Sequence, residues 1–204
     1  MAITAFSRRG LLGFALLPCL TLAAGDSPHF GFSAHANFPM SQLHQDLNGK
    51  VGYGAGFQVS IETSDHTIIR PRVDVDIFPI SERDRPNSSY RDRVDLGTVG
   101  IGADFLYAFS GRNDQGAYGL GGVGVQRWLQ TRSSRDTDGD HIYHEDDTVK
   151  NRTTPYVALG VGYQFNSVVG MEARAVGSKY NALMEGTSGT RTAVVTQLAL
   201  TCRW

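Results

Sequence analysis

The residues with the densest ligand chemistry sit in one acidic segment. Asp136, Asp138 and Asp140 alternate in Asp-Thr-Asp-Gly-Asp, and Asp147 falls where a calcium loop places its last, bidentate carboxylate. His141, however, stands where such a loop needs glycine for its sharp turn, and no flanking helix pattern is present. A solvated acidic loop over 133–152 is the better reading. His141 and His144 beside Glu145, Asp146 and Asp147 also offer transition-metal ligands or protease-like acid–base groups, but they are borne on that same loop. Ser33 and His35 are the remaining hydrolytic pairing, and both fall on the polar face of their strand. No catalytic residue, cofactor or metal is therefore expected.

A second set of charges recurs at every other position. Arg70, Arg72, Asp74 and Asp76 share one strand face, and Glu62, Asp104, Glu172 and Arg174 occupy equivalent faces elsewhere. Opposite signs on one parity are suited to neutralising one another. Their expected role is structural, as an interior charge network.

The elements that carry these charges are strands. Over Val51–Glu62, Val51, Tyr53, Ala55, Phe57, Val59 and Ile61 alternate with glycine and polar residues. Period two means strand. The same alternation marks His29–Phe38, Thr67–Ile80, Asp95–Phe109, Ala117–Thr131, Thr154–Phe165, Val168–Lys179 and Arg191–Trp204. Pro71 removes a ladder hydrogen bond in the third strand, which a bulge or a frayed end would absorb. In the fifth, Tyr118 and Leu120 have one parity and Val123 and Val125 the other, so a bulge at Gly121-Gly122 is expected to reset the face. The segments 41–50, 81–93 and 133–152 read as polar loops, with Asn48-Gly49 as a turn.

Eight strands with alternating short and long connections predict an antiparallel up-and-down barrel. The large apolar residues share one face, while the other carries glycine and charge. An eight-stranded barrel is just wide enough inside to be filled by side chains. The small residues on strands two, four and six leave room there for the arginines and carboxylates. The apolar face then meets lipid, as in a transmembrane β-barrel. The rival is a soluble, lipocalin-like barrel with the faces reversed, but the first strand lacks that family's Gly-x-Trp signature.

Residues 1–25 read as a separate unit. Arg8 and Arg9 precede the apolar run Leu11–Leu22, and Ala23-Ala24-Gly25 offers a cleavage site before Asp26. This order is that of a secretory signal peptide, leaving a barrel domain over 26–204. Removal of two basic residues leaves 17 − 20 = −3 formal charges, which gives no sign of nucleic-acid binding. It also leaves Cys202 as the one cysteine, so no internal disulfide can form.

Tyr53-Gly54-Ala55-Gly56-Phe57, Gly121-Gly122-Val123-Gly124, Pro155–Tyr163 and the terminal strand ending on Trp204 carry a family resemblance. The chain resembles the small bacterial outer-membrane β-barrels of OmpA/OmpX type. That resemblance implies outer-membrane lipid as a partner. It also implies recognition by the barrel assembly machinery through the terminal strand, here Leu198, Leu200 and Trp204. An even strand count puts both termini in the periplasm. The expected function is a non-enzymatic structural or surface-interaction role through extracellular loops. The alternatives are a narrow, porin-like transport pore, a soluble periplasmic ligand-binding barrel and an envelope-lipid-modifying enzyme.

Overall fold

The computed structural model describes residues 28–84, 90–110, 115–138, 141–181 and 189–204. For 79–84, 90–95, 131–138 and 141–150 only the backbone is described. The leader therefore lies outside the described residues. The elements are β1 His29–Met40, α1 Ser41–Asp46, β2 Gly52–Ser64, β3 Thr67–Asp84, β4 Tyr90–Ala108, β5 Gly116–Asp138, β6 His141–Gln164, β7 Val169–Asn181 and β8 Thr190–Arg203.

Each strand pairs antiparallel with its neighbours in sequence, and β8 returns to β1, closing the barrel. Closure leaves no sheet edge at the seam. Phe30 and Trp204 exchange backbone hydrogen bonds of 3.1 and 2.9 Å there, so the last residue of the chain is held in the seam.

The two faces follow sequence parity. Phe32, Tyr53, Ile101, Phe105, Val123, Val157, Leu159 and Leu200 are among the exposed large hydrophobics, while Gln58, Arg70, Arg72, Asp104, Glu172, Arg174 and Gln197 are buried. This is the reverse of a water-soluble barrel. So large a contiguous apolar exterior is stable against hydrocarbon and not against water. The protein is an eight-stranded, up-and-down transmembrane β-barrel. At the end bearing both termini, the near end, aromatic residues cluster on the outside. Phe32 packs against Phe57 and Trp204 at 5.3 and 5.6 Å, and Tyr163 against Phe165 at 5.3 Å. Such clusters mark a membrane–water boundary.

Four local expectations are corrected. β5 runs through Gly121-Gly122 in unbroken register with both β4 and β6, and no bulge forms there. Tyr118 and Leu120 are buried, and with Ile68 and Leu106 they make an apolar cluster inside the near mouth. Apolar parity changed because this end of the lumen is itself apolar.

Pro71 sits in mid-ladder without a bulge. Arg72 pairs with Gln58 and Ile69 with Ile61 in one register, with the pairing interrupted between them, while Pro71 still faces Ala103 on β4. The missing N–H costs one stretch of ladder on one side only.

The polar segments 81–93 and 133–152 are largely strand, since β3 reaches Asp84, β4 begins at Tyr90, β5 reaches Asp138 and β6 begins at His141. These extensions rise beyond the apolar belt. With water on both faces they have no reason to alternate, so the period-two signal vanishes although the strand continues.

Finally, 41–50 contains α1. Ser41, at φ 54°, turns the chain into it, and Asn48 and Gly49, at φ 53° and 74°, turn it out. Leu43 and Leu47 are buried.

Leu159 is 72 % exposed on β6, five residues from the near end of that strand and about half-way up the apolar belt. Leu159→Arg should lower folding stability in lipid vesicles by about 2–4 kcal/mol, read from urea unfolding, while Leu159→Met should be close to neutral. An unchanged midpoint for the arginine variant would place this face away from lipid.

Candidate functional site

The barrel interior is organised in three layers. The middle layer is ionic. Arg70 on β3 makes a two-armed pair with Glu172 on β7, one arm 3.0 Å long, and reaches Asp104 on β4 at 3.0 Å. Arg72, next on the same face, donates to Asp104 at 3.0 Å and to both oxygens of Asp74 at 2.7 and 2.6 Å. Arg174 approaches Asp104 at 3.4 Å. Tyr118 donates its hydroxyl to Glu172 at 2.7 Å. Three guanidinium groups thus face three carboxylates across the lumen. Paired arms of this kind are the strongest hydrogen bonds available to buried arginine.

A separate node forms around Asp76. It accepts from Asn37 at 2.7 Å and Thr98 at 2.7 Å, and meets His35 Nε2 at 2.6 Å. Seven of the eight expected interior charges thus point into this layer or its Asp76 node. Glu62 stands lower, half-buried and level with Ile68 at the near mouth. Ser33 and His35 face inward, with His35 committed to Asp76.

Glycine makes the room. Tyr118 lies opposite Gly162, and Tyr156 opposite Gly124. A Cβ on Gly162 would overlap the Tyr118 ring, and one on Gly124 the Tyr156 ring. Large residue against none is how a narrow barrel fits its rings.

The outer layer is an apolar plug. Leu43 and Leu47 of the α1 segment pack with Phe78, Leu96, Trp128, Tyr180, Ala193 and Val195. Trp128 stacks on Phe78 at 5.8 Å and tilts against Tyr180 at 5.6 Å. Asp46, buried at the end of α1, accepts from Tyr180 at 2.6 Å and from Arg191 at 2.7 Å, which ties the helix to β7 and β8.

Among the described residues, two small voids lie in the interior. One, of about 20 Å³, is bounded by Gln58, Arg70, Tyr118, Gln164 and Thr201. The other, of about 10 Å³, is bounded by Thr98, Gln126, Trp128 and Ser178. Each has room for about one water molecule.

Sequence reading placed His35 on the polar interior face, but missed Tyr118, Asn37 and Thr98 as network partners, and the whole Asp46–Tyr180–Arg191 tie. Parity was the one signal available for Tyr118. The tie joins residues 134 and 145 positions apart and has no local signature. The acidic segment 136–147 falls on the outer ends of β5 and β6, whose backbones form a hairpin; its side chains lie outside those described.

This inverted, ion-filled barrel has close structural parallels. It superposes on Ail, the attachment invasion locus protein of Yersinia pestis, with a TM-score of 0.56 and 10 % identity, covering 87 % of this chain and 97 % of that one. The chain has the fold of the small eight-stranded outer-membrane barrels. The N-terminal barrel domain of Pseudomonas aeruginosa OprF gives a TM-score of 0.52 at 12 % identity, over 86 % of this chain and 97 % of that one. A major outer membrane protein from Thermus thermophilus gives 0.51 at 12 %, over 88 % and 100 %. No protein-family model and no curated protein matches the sequence.

Glu172→Gln should leave Arg70 short of a counter-charge and cost about 3–5 kcal/mol of stability in lipid. Replacing Arg70 and Glu172 together by methionine should recover most of that loss, because two desolvated charges leave at once. Urea unfolding of wild type and the two variants in vesicles reads both effects.

Proposed function

We propose that this chain is an integral outer-membrane barrel with a non-enzymatic role exercised at its outer surface. The observation that carries this reading is the closed interior. Paired charges cross the lumen between β3, β4 and β7, and the α1 plug covers them at the far end. A channel needs a wetted path, and voids with room for single waters do not make one. The part of the barrel left for interaction is the extension of β3 to β6 beyond the apolar belt, where β5 and β6 are 23 and 24 residues long against 12 for β1.

On this reading residues 1–25 are a signal peptide removed on export. The terminal strand, with Leu198, Leu200 and Trp204 exposed on its outer face, is what the assembly machinery reads. Both termini are periplasmic, and the extended strands face outward from the cell. The soluble-barrel alternative requires the large apolar residues inside, and they are outside.

Planar-bilayer recording on the refolded protein should show no conductance above that of the bare bilayer. Steady single-channel steps would overturn the closed-lumen reading and make a narrow pore the function. Weakening the plug with Trp128→Ala and Leu43→Ala together should raise the frequency of brief openings, while the charge layer still keeps them small.

A further inference from the structure

Among the residues whose side chains are described, the outward face of the barrel carries two cations where the apolar belt ends, one on β5 and one on β7. Arg127 on β5 and Lys179 on β7 are both exposed on the lipid-facing parity. Arg127 stands between Val125 and Leu129, themselves 46 % and 37 % exposed, and pairs in register with Val99 on β4 and Thr153 on β6. β6 alone separates the two cations, so their strands stand roughly 10 Å apart. On the β6 side, only Thr153 and Pro155 lie between them on the exposed parity.

Their height is set by counting along the strands. Arg127 is eleven residues from Gly116, where β5 begins, and Lys179 is ten from Val169, where β7 begins. At about 3.3 Å per residue and a tilt of about 40°, both lie ~25–28 Å above the near-end boundary. That matches the roughly 25 Å height of the apolar band of a membrane barrel. A cation facing lipid is costly at the midplane and nearly free at the interface, so these two mark the far headgroup layer.

The backbone also changes at this level. The β6–β7 ladder ends at Val157–Gly177, although β6 extends back to His141 and β7 runs on to Asn181. Across the opening the side chain of Arg152 donates to Asn181 at 3.1 Å.

We infer that Arg127 and Lys179 form a binding site for the phosphate groups of an anionic glycolipid headgroup in the outer leaflet. The pairing is one of charge and position. Arginine offers a fork of donors that fits phosphate and can serve more than one acceptor, and lysine adds a mobile point charge. Both sit at headgroup depth on the face where lipid lies. The site would fix the barrel's depth and gather one class of lipid around it. The inference rests on the proposed orientation, with the far end outside the cell.

The test uses the full mature chain in detergent, with bisphosphorylated lipid A and its dephosphorylated form as probes, read by native mass spectrometry. Wild type should hold the phosphorylated lipid about tenfold or more tightly than Arg127→Gln/Lys179→Gln, and Arg127→Lys, which keeps the charge but loses the fork, should fall between the two. The dephosphorylated lipid should not distinguish the three. Equal binding of phosphorylated lipid by wild type and the double variant, with both shown folded by heat-dependent gel mobility, would overturn the site. Orientation is read separately by labelling Gly139→Cys in a Cys202→Ser background with an impermeant maleimide on intact cells. Labelling with no phosphate preference removes the lipid site alone, and no labelling removes the orientation on which it stands.

Discussion

An eight-stranded barrel cannot hold a water column wide enough to solvate charge, so every charge inside it must find a partner inside it. Arg70 shows how strictly this applies. It is 3 % exposed and draws one carboxylate from its direct neighbour on β4 and another from β7 across the lumen. The rest of the interior follows from serving that constraint. Glycines on facing strands clear space for the long side chains and for Tyr118 and Tyr156. Tyr118 adds a hydroxyl to a Glu172 oxygen that already accepts from Arg70. Because the charges of the middle layer are paired with one another inside, the opposite parity of every strand is free to be apolar, and hydrocarbon becomes the solvent that suits it.

The same logic divides the molecule by height. Within the belt, strands alternate because one face meets lipid and the other meets the ionic layer. At the near mouth both faces of β5 are apolar, with Tyr118 and Leu120 inside and Val123 and Val125 outside. At the far mouth, α1 lays Leu43 and Leu47 over Trp128, and a single buried carboxylate, Asp46, ties the helix down. Beyond that level β3 to β6 continue as strands in water. Anchoring, closure and interaction thus fall to successive stretches of the same strands.

This division also explains what sequence reading reached. Strand number, order of faces and interior charges were legible because lipid on one side and ions on the other impose period two, most cleanly over Val51–Glu62. Strand ends were not legible above the belt, where water on both faces removes the contrast between parities. The expected bulge at Gly121-Gly122 came from equating apolar with outward, which fails where the lumen is apolar. α1 is six residues long and polar in most of its letters, so its buried Leu43 and the Leu47 that follows it acquire meaning only against Trp128 and Tyr180. The arginine–carboxylate pairs themselves are properties of closure. Arg70 and Glu172 are 102 residues apart and meet only when β8 joins β1.

The central claim is that the barrel is inverted, with its apolar face in lipid and its charges packed inside. The two tryptophans sit on opposite sides of that claim, Trp204 being 59 % exposed on the outer face and Trp128 3 % exposed inside. Fluorescence of the Trp128→Phe and Trp204→Phe variants in vesicles of brominated lipid separates them. The structure predicts strong quenching of Trp204 in the first variant and weak quenching of Trp128 in the second. Quenching of Trp128 as strong as that of Trp204 would contradict it and put the interior face against lipid.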